Sequence, residues 1–122
     1  MSIETSLKQY PREELTRTPT PLDFLPHLSE QLGIELYLKR DDLTDLTLGG
    51  DKPRKLEYEI AQGRAAGADT LVTCGSMQSN HARLTTAAAR KLGLECVVVL
   101  SRDMWDVVQG NLLTVYLMGA RV

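Results

Sequence analysis

An α/β fold, a parallel sheet flanked by helices, is what this sequence predicts, and three neighbouring segments predict it. Thr70-Leu71-Val72-Thr73-Cys74 is rich in β-formers and is punctuated by Gly75. Residues 79–92 form an alanine-rich run at helical spacing that ends at Gly93. Cys96-Val97-Val98-Val99-Leu100 is continuously apolar, the pattern of a strand covered on both faces. Strand, glycine turn, helix and strand make a βαβ unit, whose strands are expected to be parallel neighbours joined by a right-handed crossover.

The other elements follow in chain order. The first forty residues read as irregular, broken by Pro11, Pro19, Pro21 and Pro26. Pro26 suits the first turn of a helix, Leu28 and Leu32 share one face, and Gly33 can close it in the left-handed conformation, so a short helix spans 26–32. Glu35-Leu36-Tyr37-Leu38-Lys39 alternates as a half-buried strand does, and Arg40-Asp41-Asp42 ends it in a charged turn. From Lys52, the spacing of Leu56, Ile60 and Gly63 predicts a helix with one packed face, ending near Gly67. A last helix over 107–118 leads to Gly119-Ala120-Arg121-Val122, where another strand is expected to begin. Trp105 and Tyr116 read as packing residues.

At 122 residues and 43% hydrophobic, the chain has the size and composition of one modest globular core. Fourteen basic and sixteen acidic residues leave a net charge of -2, so no global positive field draws nucleic acid or an anionic membrane. The first twelve residues lack the apolar centre of a secretory signal, and the five-residue run 96–100 is too short to span a bilayer, which makes the cytoplasm the expected location. In a reducing compartment Cys74 and Cys96 read as buried thiols; two cysteines without ligand spacing form no zinc site, and no metal is expected.

Two glycine turns concentrate the chemistry. Gly49-Gly50-Asp51-Lys52-Pro53 delivers a lysine to the mouth of a helix, with Pro53 at its first turn and glycines that let the backbone approach a ligand closely. Taken alone, Lys52 reads as a solvated surface lysine, and it is the context that shifts the reading. The partial positive charge of the helix start, with Arg54 and Lys55 nearby, disfavours a second ammonium there and favours the neutral amine that attacks an aldehyde. Asp51 opposes this effect and is expected to cap the helix. Arg54 and Lys55 read either as a solvated face or as holders of a phosphate. Gly75-Ser76-Met77-Gln78-Ser79-Asn80-His81 lies at the carboxyl end of a strand, where open parallel sheets bind ligands. Ser79 or Asn80 caps the following helix, and a hydroxyl, an amide and an imidazole also converge there on one small ligand. No dinucleotide or P-loop glycine pattern is present, which disfavours a nucleotide.

At these residues the chain resembles the D-cysteine desulfhydrase and 1-aminocyclopropane-1-carboxylate deaminase family, pyridoxal-phosphate enzymes of the tryptophan-synthase-β-like fold (fold type II). The similarity runs collinearly through Thr18-Pro19-Thr20-Pro21-Leu22, Leu38-Lys39-Arg40-Asp41-Asp42, residues 49–58, Gly67-Ala68-Asp69-Thr70-Leu71, residues 78–83 and Gln109-Gly110-Asn111-Leu112-Leu113. It implies pyridoxal 5'-phosphate as cofactor and a lyase or deaminase reaction on a small amino acid. D-cysteine, giving pyruvate, hydrogen sulfide and ammonia, is favoured by His81 after Ser79 and Asn80. The deaminase-like reaction and a non-catalytic remnant of the fold are the alternatives, with a small phosphate-ligand-binding domain as a weaker third.

Carried over by residue, the resemblance makes Lys52 the Schiff-base lysine and the base at the substrate α-carbon. It makes Asn80 a partner of the cofactor's ring oxygen, and Ser79 and Gln78 contacts of the substrate carboxylate, with Ser79 close to the reacting atoms. Asn80 and His81 belong to the same substrate pocket, and Lys55 assists near the cofactor. Asp51 stands where the family has asparagine. The resemblance covers only the amino-terminal part of such an enzyme. Residues 1–51 then belong to the large cofactor domain and 52–122 form an incomplete small α/β domain, a truncated portion of the fold. The phosphate loop, the pyridine-nitrogen partner and an active-site tyrosine would come from a carboxy-terminal portion in cis or in trans, and the assembled enzyme would be a homodimer.

Overall fold

The computed structural model describes residues 3–101 and 107–122, so Trp105 lies outside the described residues. In chain order the elements are helix α1 (Ile3–Leu7), strand β1 (Leu22–Phe24), helix α2 (Pro26–Leu32), strand β2 (Tyr37–Lys39), a 3-10 turn (Asp41–Leu43), helix α3 (Pro53–Ala65), strand β3 (Thr70–Ser76), helix α4 (Asn80–Lys91), strand β4 (Glu95–Ser101) and helix α5 (Gly110–Leu117).

β3 and β4 are parallel and in register along their whole length, Thr70 opposite Glu95 through Ser76 opposite Ser101. α4 connects them and packs on both strands, on α3 and on α5. At the place of the expected further strand there is a single parallel bridge. Arg121 forms a parallel bridge with Val97, its N–H donating to the Cys96 carbonyl at 2.9 Å and its carbonyl accepting from Val98 at 2.8 Å. α5 starts at Gly110, three residues later than the spacing predicts, with Gln109 extended at its cap.

The helix boundaries follow local chemistry. Pro26 opens α2 and Gly33, at φ +66°, closes it. The face of α2 bearing Leu28 and Leu32 is exposed, however, and the buried residue is Ser29. Its hydroxyl donates to the Leu25 carbonyl at 2.7 Å and accepts from the Leu36 N–H at 2.9 Å.

Five further expectations are corrected. The segment taken as irregular contains α1 and also β1, which pairs antiparallel with β2. β2 is exposed rather than half-buried, because the two-stranded ribbon is covered on neither side; Phe24 and Tyr37 instead stack tilted across it at 5.2 Å. β4 is covered on one face only. Cys96 and Val98 are buried against Ala82, Ala89 and Val115, while Val99 and, on the same face of β3, Val72 are 60% and 70% exposed. Cys74 shares that open face, so of the two free thiols Cys96 alone is buried. Tyr116, read as a packing residue, is nearly half exposed.

The main core crosses the expected 51/52 division: Leu15 and Leu46 join Leu56 and Ile60 of α3 and Leu84, Ala87 and Ala88 of α4 in one cluster. Glu57 fastens the same junction from inside. Its carboxylate, 2% exposed, accepts from the Arg12 guanidinium at 2.6 Å and from the Leu15 N–H at 3.1 Å.

Candidate functional site

The site is a corner between two helix starts. At the first, Ser79 is extended and its Oγ accepts from the Ala82 N–H at 3.2 Å, so it is the N-cap of α4. The Ser79 N–H closes a tight turn onto the Ser76 carbonyl at 3.0 Å. This turn fits because position 75 has no side chain: a Cβ there would stand 2.7 Å from both Cβ and Oγ of Ser79.

At the second, Pro53 opens α3 and is buried, and Lys52 occupies the cap position with no side-chain cap bond. Asp51 is therefore not the cap that the sequence suggests. Its carboxylate accepts from Lys52 Nζ at 2.6 Å, because the neighbouring ammonium is a stronger partner than a backbone N–H. That ammonium holds the Asp51 carboxyl below its ordinary range.

The glycine pair also differs from expectation, since what it approaches closely is protein. A Cβ at Gly49 (φ +69°) would collide with the Asp42 carbonyl, and one at Gly50 (φ +138°) would stand 3.1 Å from Leu84 Cδ1 on α4. Arg83, on the second turn of α4, completes the junction. Its buried guanidinium donates to Thr47 Oγ1 at 2.7 Å and to the Gly49 carbonyl at 3.0 Å. The turn carrying Lys52 is thereby fixed to the helix carrying Ser79, Asn80 and His81.

The other predicted residues divide. Asn80 is exposed at the first position of α4. His81 is half-buried and turned toward α3, in a groove of about 290 Å3 that it shares with Leu56, Glu59, Ile60 and Thr85. Its Nδ1 is buried without a partner. Burial first, then the positive charge of Lys55, pushes its pKa below the ordinary value; Glu59 opposes this, and Lys52 adds a smaller push downward. Burial and the lysine charges both favour the neutral imidazole. Lys55 is exposed and pairs with Glu59 one turn on, at 3.3 Å. Gln78 turns its side chain away from the corner: Nε2 donates to the Gln109 carbonyl at 3.1 Å and Oε1 accepts from the Asn111 N–H at 2.9 Å, tying down the start of α5. Arg54, weighed as a phosphate holder, forms a two-pronged pair with Asp41 at 2.6 and 2.8 Å.

A primary amine, a hydroxyl and an exposed amide at two adjoining helix starts form a donor set that fits the aldehyde and the ring oxygen of pyridoxal phosphate. The phosphate end is not matched by Arg54 or Lys55, which are already paired with Asp41 and Glu59. Reading the sequence did not single out Arg83 or Asp41 as parts of this corner. The signal for Arg83 was its place on the buried face of an alanine-rich helix, four residues after the cap.

Residues 14–122 match the family model described as "Pyridoxal-phosphate dependent enzyme". The chain is 53% identical over 98 residues to the D-cysteine desulfhydrases of Salmonella paratyphi B and Salmonella newport, an alignment covering 80% of this chain and 30% of each relative. It is also similar to a solved structure described as an ACC deaminase homologue, with a TM-score of 0.89 and 41% identity, covering 99% of this chain and 37% of that one. The chain therefore spans about a third of the length of the proteins it matches.

Proposed function

Because this chain belongs to the pyridoxal-phosphate dependent enzyme family, we propose that it carries the lysine-bearing, amino-terminal portion of a lyase or deaminase acting on a small amino acid, with the chemistry of a D-cysteine desulfhydrase. The observation that carries the reading is the joining of the Lys52 turn to the α4 start, through Arg83 and the packing of Gly50 against Leu84. When bound, pyridoxal phosphate supplies an aldehyde for an amine to attack and a ring that accepts electrons from the substrate α-carbon.

The remaining work falls to the chain's own groups. Lys52 Nζ, once released from Asp51 and deprotonated, would hold the cofactor by its aldehyde and would move a proton at the substrate α-carbon. Asn80 would donate to the cofactor's ring oxygen. Ser79 Oγ and the backbone donors at the start of α4 hold the substrate carboxylate, since a helix amino end favours an anion. Gln78 fixes the start of α5 through its side-chain amide, and His81 lines the α3 side of the pocket. Lys55, close to His81, adds positive charge on the cofactor side.

Residues 1–51 contribute to the cofactor domain and 52–122 to the smaller domain. The remaining two thirds of the catalytic unit, in cis or in trans, complete the site, and the complete enzyme is a cytoplasmic homodimer. No helix among the described residues is long and apolar enough to cross a membrane.

A second reading, deamination of 1-aminocyclopropane-1-carboxylate, is favoured by the solved structure named as an ACC deaminase homologue. The experiment mixes this chain with the carboxy-terminal portion of a matching desulfhydrase and pyridoxal phosphate. Sulfide release from D-cysteine that disappears in Lys52→Ala supports the first reading; ammonia from the cyclopropane substrate alone supports the second. No product from either substrate contradicts both.

A further inference from the structure

The charged turn after β2 is a part of the sequence pattern not yet used, and its first acidic residue touches the chain on both sides of the lysine, by its main-chain carbonyl before it and by its carboxylate after it. The Gly50 N–H, two residues before Lys52, donates to the Asp41 carbonyl at 2.8 Å, and Thr44 Oγ1 braces the same point, accepting from that N–H at 2.9 Å and donating to the Gly50 carbonyl at 2.8 Å. Two residues after Lys52, the Arg54 guanidinium donates Nε to Asp41 Oδ2 at 2.8 Å and Nη2 to Oδ1 at 2.6 Å. Thr20 Oγ1 donates to the same Oδ1 at 3.2 Å, which orients the carboxylate from a third direction.

We propose that Asp41 is a positioning residue for Lys52, its main-chain carbonyl and its carboxylate gripping the chain on either side of the lysine so that Nζ leaves the backbone in one fixed direction toward the start of α4. This rests on the reading of Lys52 as the aldehyde-capturing amine. Asp41 and Arg54 are 23% and 44% exposed, and ion pairs so placed add little to global stability. What a planar, two-pronged pair does supply is geometry, because the guanidinium fork fixes orientation as well as distance. Holding a reacting group to within about an ångström matters, since a displacement of that size can cost on the order of a hundredfold in rate. The Arg54 charge holds the Asp41 carboxyl below its ordinary range, so the grip persists throughout the neutral region.

The test compares Lys52 with Lys55, one turn apart on the same helix. The 122-residue chain is mixed with dilute pyridoxal phosphate, reduced with borohydride, and the label at each lysine is quantified by peptide mass spectrometry, well below the melting temperature of each variant. In the parent, Lys52 is labelled in excess of Lys55. Asp41→Ala and Arg54→Lys each reduce the Lys52 label on the order of tenfold and leave Lys55 unchanged. Asp41→Asn, which keeps an oxygen toward Arg54, falls between parent and Asp41→Ala. If Asp41→Ala does not fold, Arg54→Lys, changed on the more exposed side, decides the matter. An unchanged excess in the folded variants overturns the proposal alone, as does a parallel fall at both lysines. No excess in the parent overturns the reading of Lys52 and the proposal with it.

Discussion

Gly75 stands so close to Ser79 that a methyl group on it would lie 2.7 Å from the serine hydroxyl that caps α4. Neither neighbour is the end of a long flexible side chain, so the turn itself must shift to admit a side chain. Gly75→Ala should therefore cost at least the cap, about 1 kcal/mol, and weaken pyridoxal phosphate binding at the same time. Urea unfolding and a cofactor titration read the two effects. Unchanged stability and unchanged affinity together would show that the turn is looser than its geometry implies.

Ser79 carries a structural role alongside its proposed chemical one, and substitutions separate them. Ser79→Ala removes the acceptor for the Ala82 N–H and should lose about 1 kcal/mol; Ser79→Asn keeps a capping oxygen and should lose a few tenths. Both should retain the cofactor's absorption band and lose turnover in the reconstituted enzyme. Disappearance of the band in Ser79→Asn would move Ser79 from the substrate to the cofactor.

Glu57 is the buried carboxylate that fastens the amino-terminal segment to α3. Arg12→Ala leaves it without its counter-charge. The expected loss is about 2 kcal/mol, less than for a fully enclosed pair, because Arg12 is partly solvated and Glu57 keeps its backbone donors. Glu57→Ala also strands the buried Leu15 N–H and should cost more. Denaturant unfolding at neutral pH gives the order; equal, negligible losses would place the junction's stability elsewhere.

His81 gives the chain a pH-dependent stability with a definite sign. Burial, with Lys55 and Lys52 nearby, lowers its folded pKa below the ordinary 6.5. The unfolded chain thus takes up the proton first, and stability falls as pH drops below about 6.5 until the folded value is passed. His81→Gln should abolish this step and leave only the carboxylate-driven loss at lower pH. Identical stability profiles for parent and variant between pH 7 and pH 5 would contradict the assignment.

What could be read in the sequence is what local chemistry decides. Pro26 and Gly33 bound α2, and Ser79 and Gly93 bound α4, because caps and left-handed turns depend on residues a few positions apart. The parallel pairing of β3 and β4 followed from the helix between them. Less legible were features set by distant partners. β1 is three residues long and exists by pairing with β2, and Arg83 becomes buried by meeting a carbonyl 34 positions away. Asp51 looked like a cap because the cap rule considers the backbone alone, whereas the adjacent ammonium takes its carboxylate. Gln78 looked like a substrate contact, and its amide is occupied by α5, whose position no local pattern reveals. Cys74 was read as buried because a β-rich strand does not disclose which of its faces is covered.

The central claim is that Lys52 is the amine that captures the cofactor, and one spectroscopic titration addresses it most directly. Pyridoxal phosphate is added to the chain and to Lys52→Ala at neutral pH, and the visible absorption of each mixture is compared with that of the free cofactor. The account predicts a new band in the parent that is absent from the variant, with Lys55→Ala retaining the band. The same band in Lys52→Ala, or none in the parent even with the carboxy-terminal portion of a matching desulfhydrase present, would contradict it.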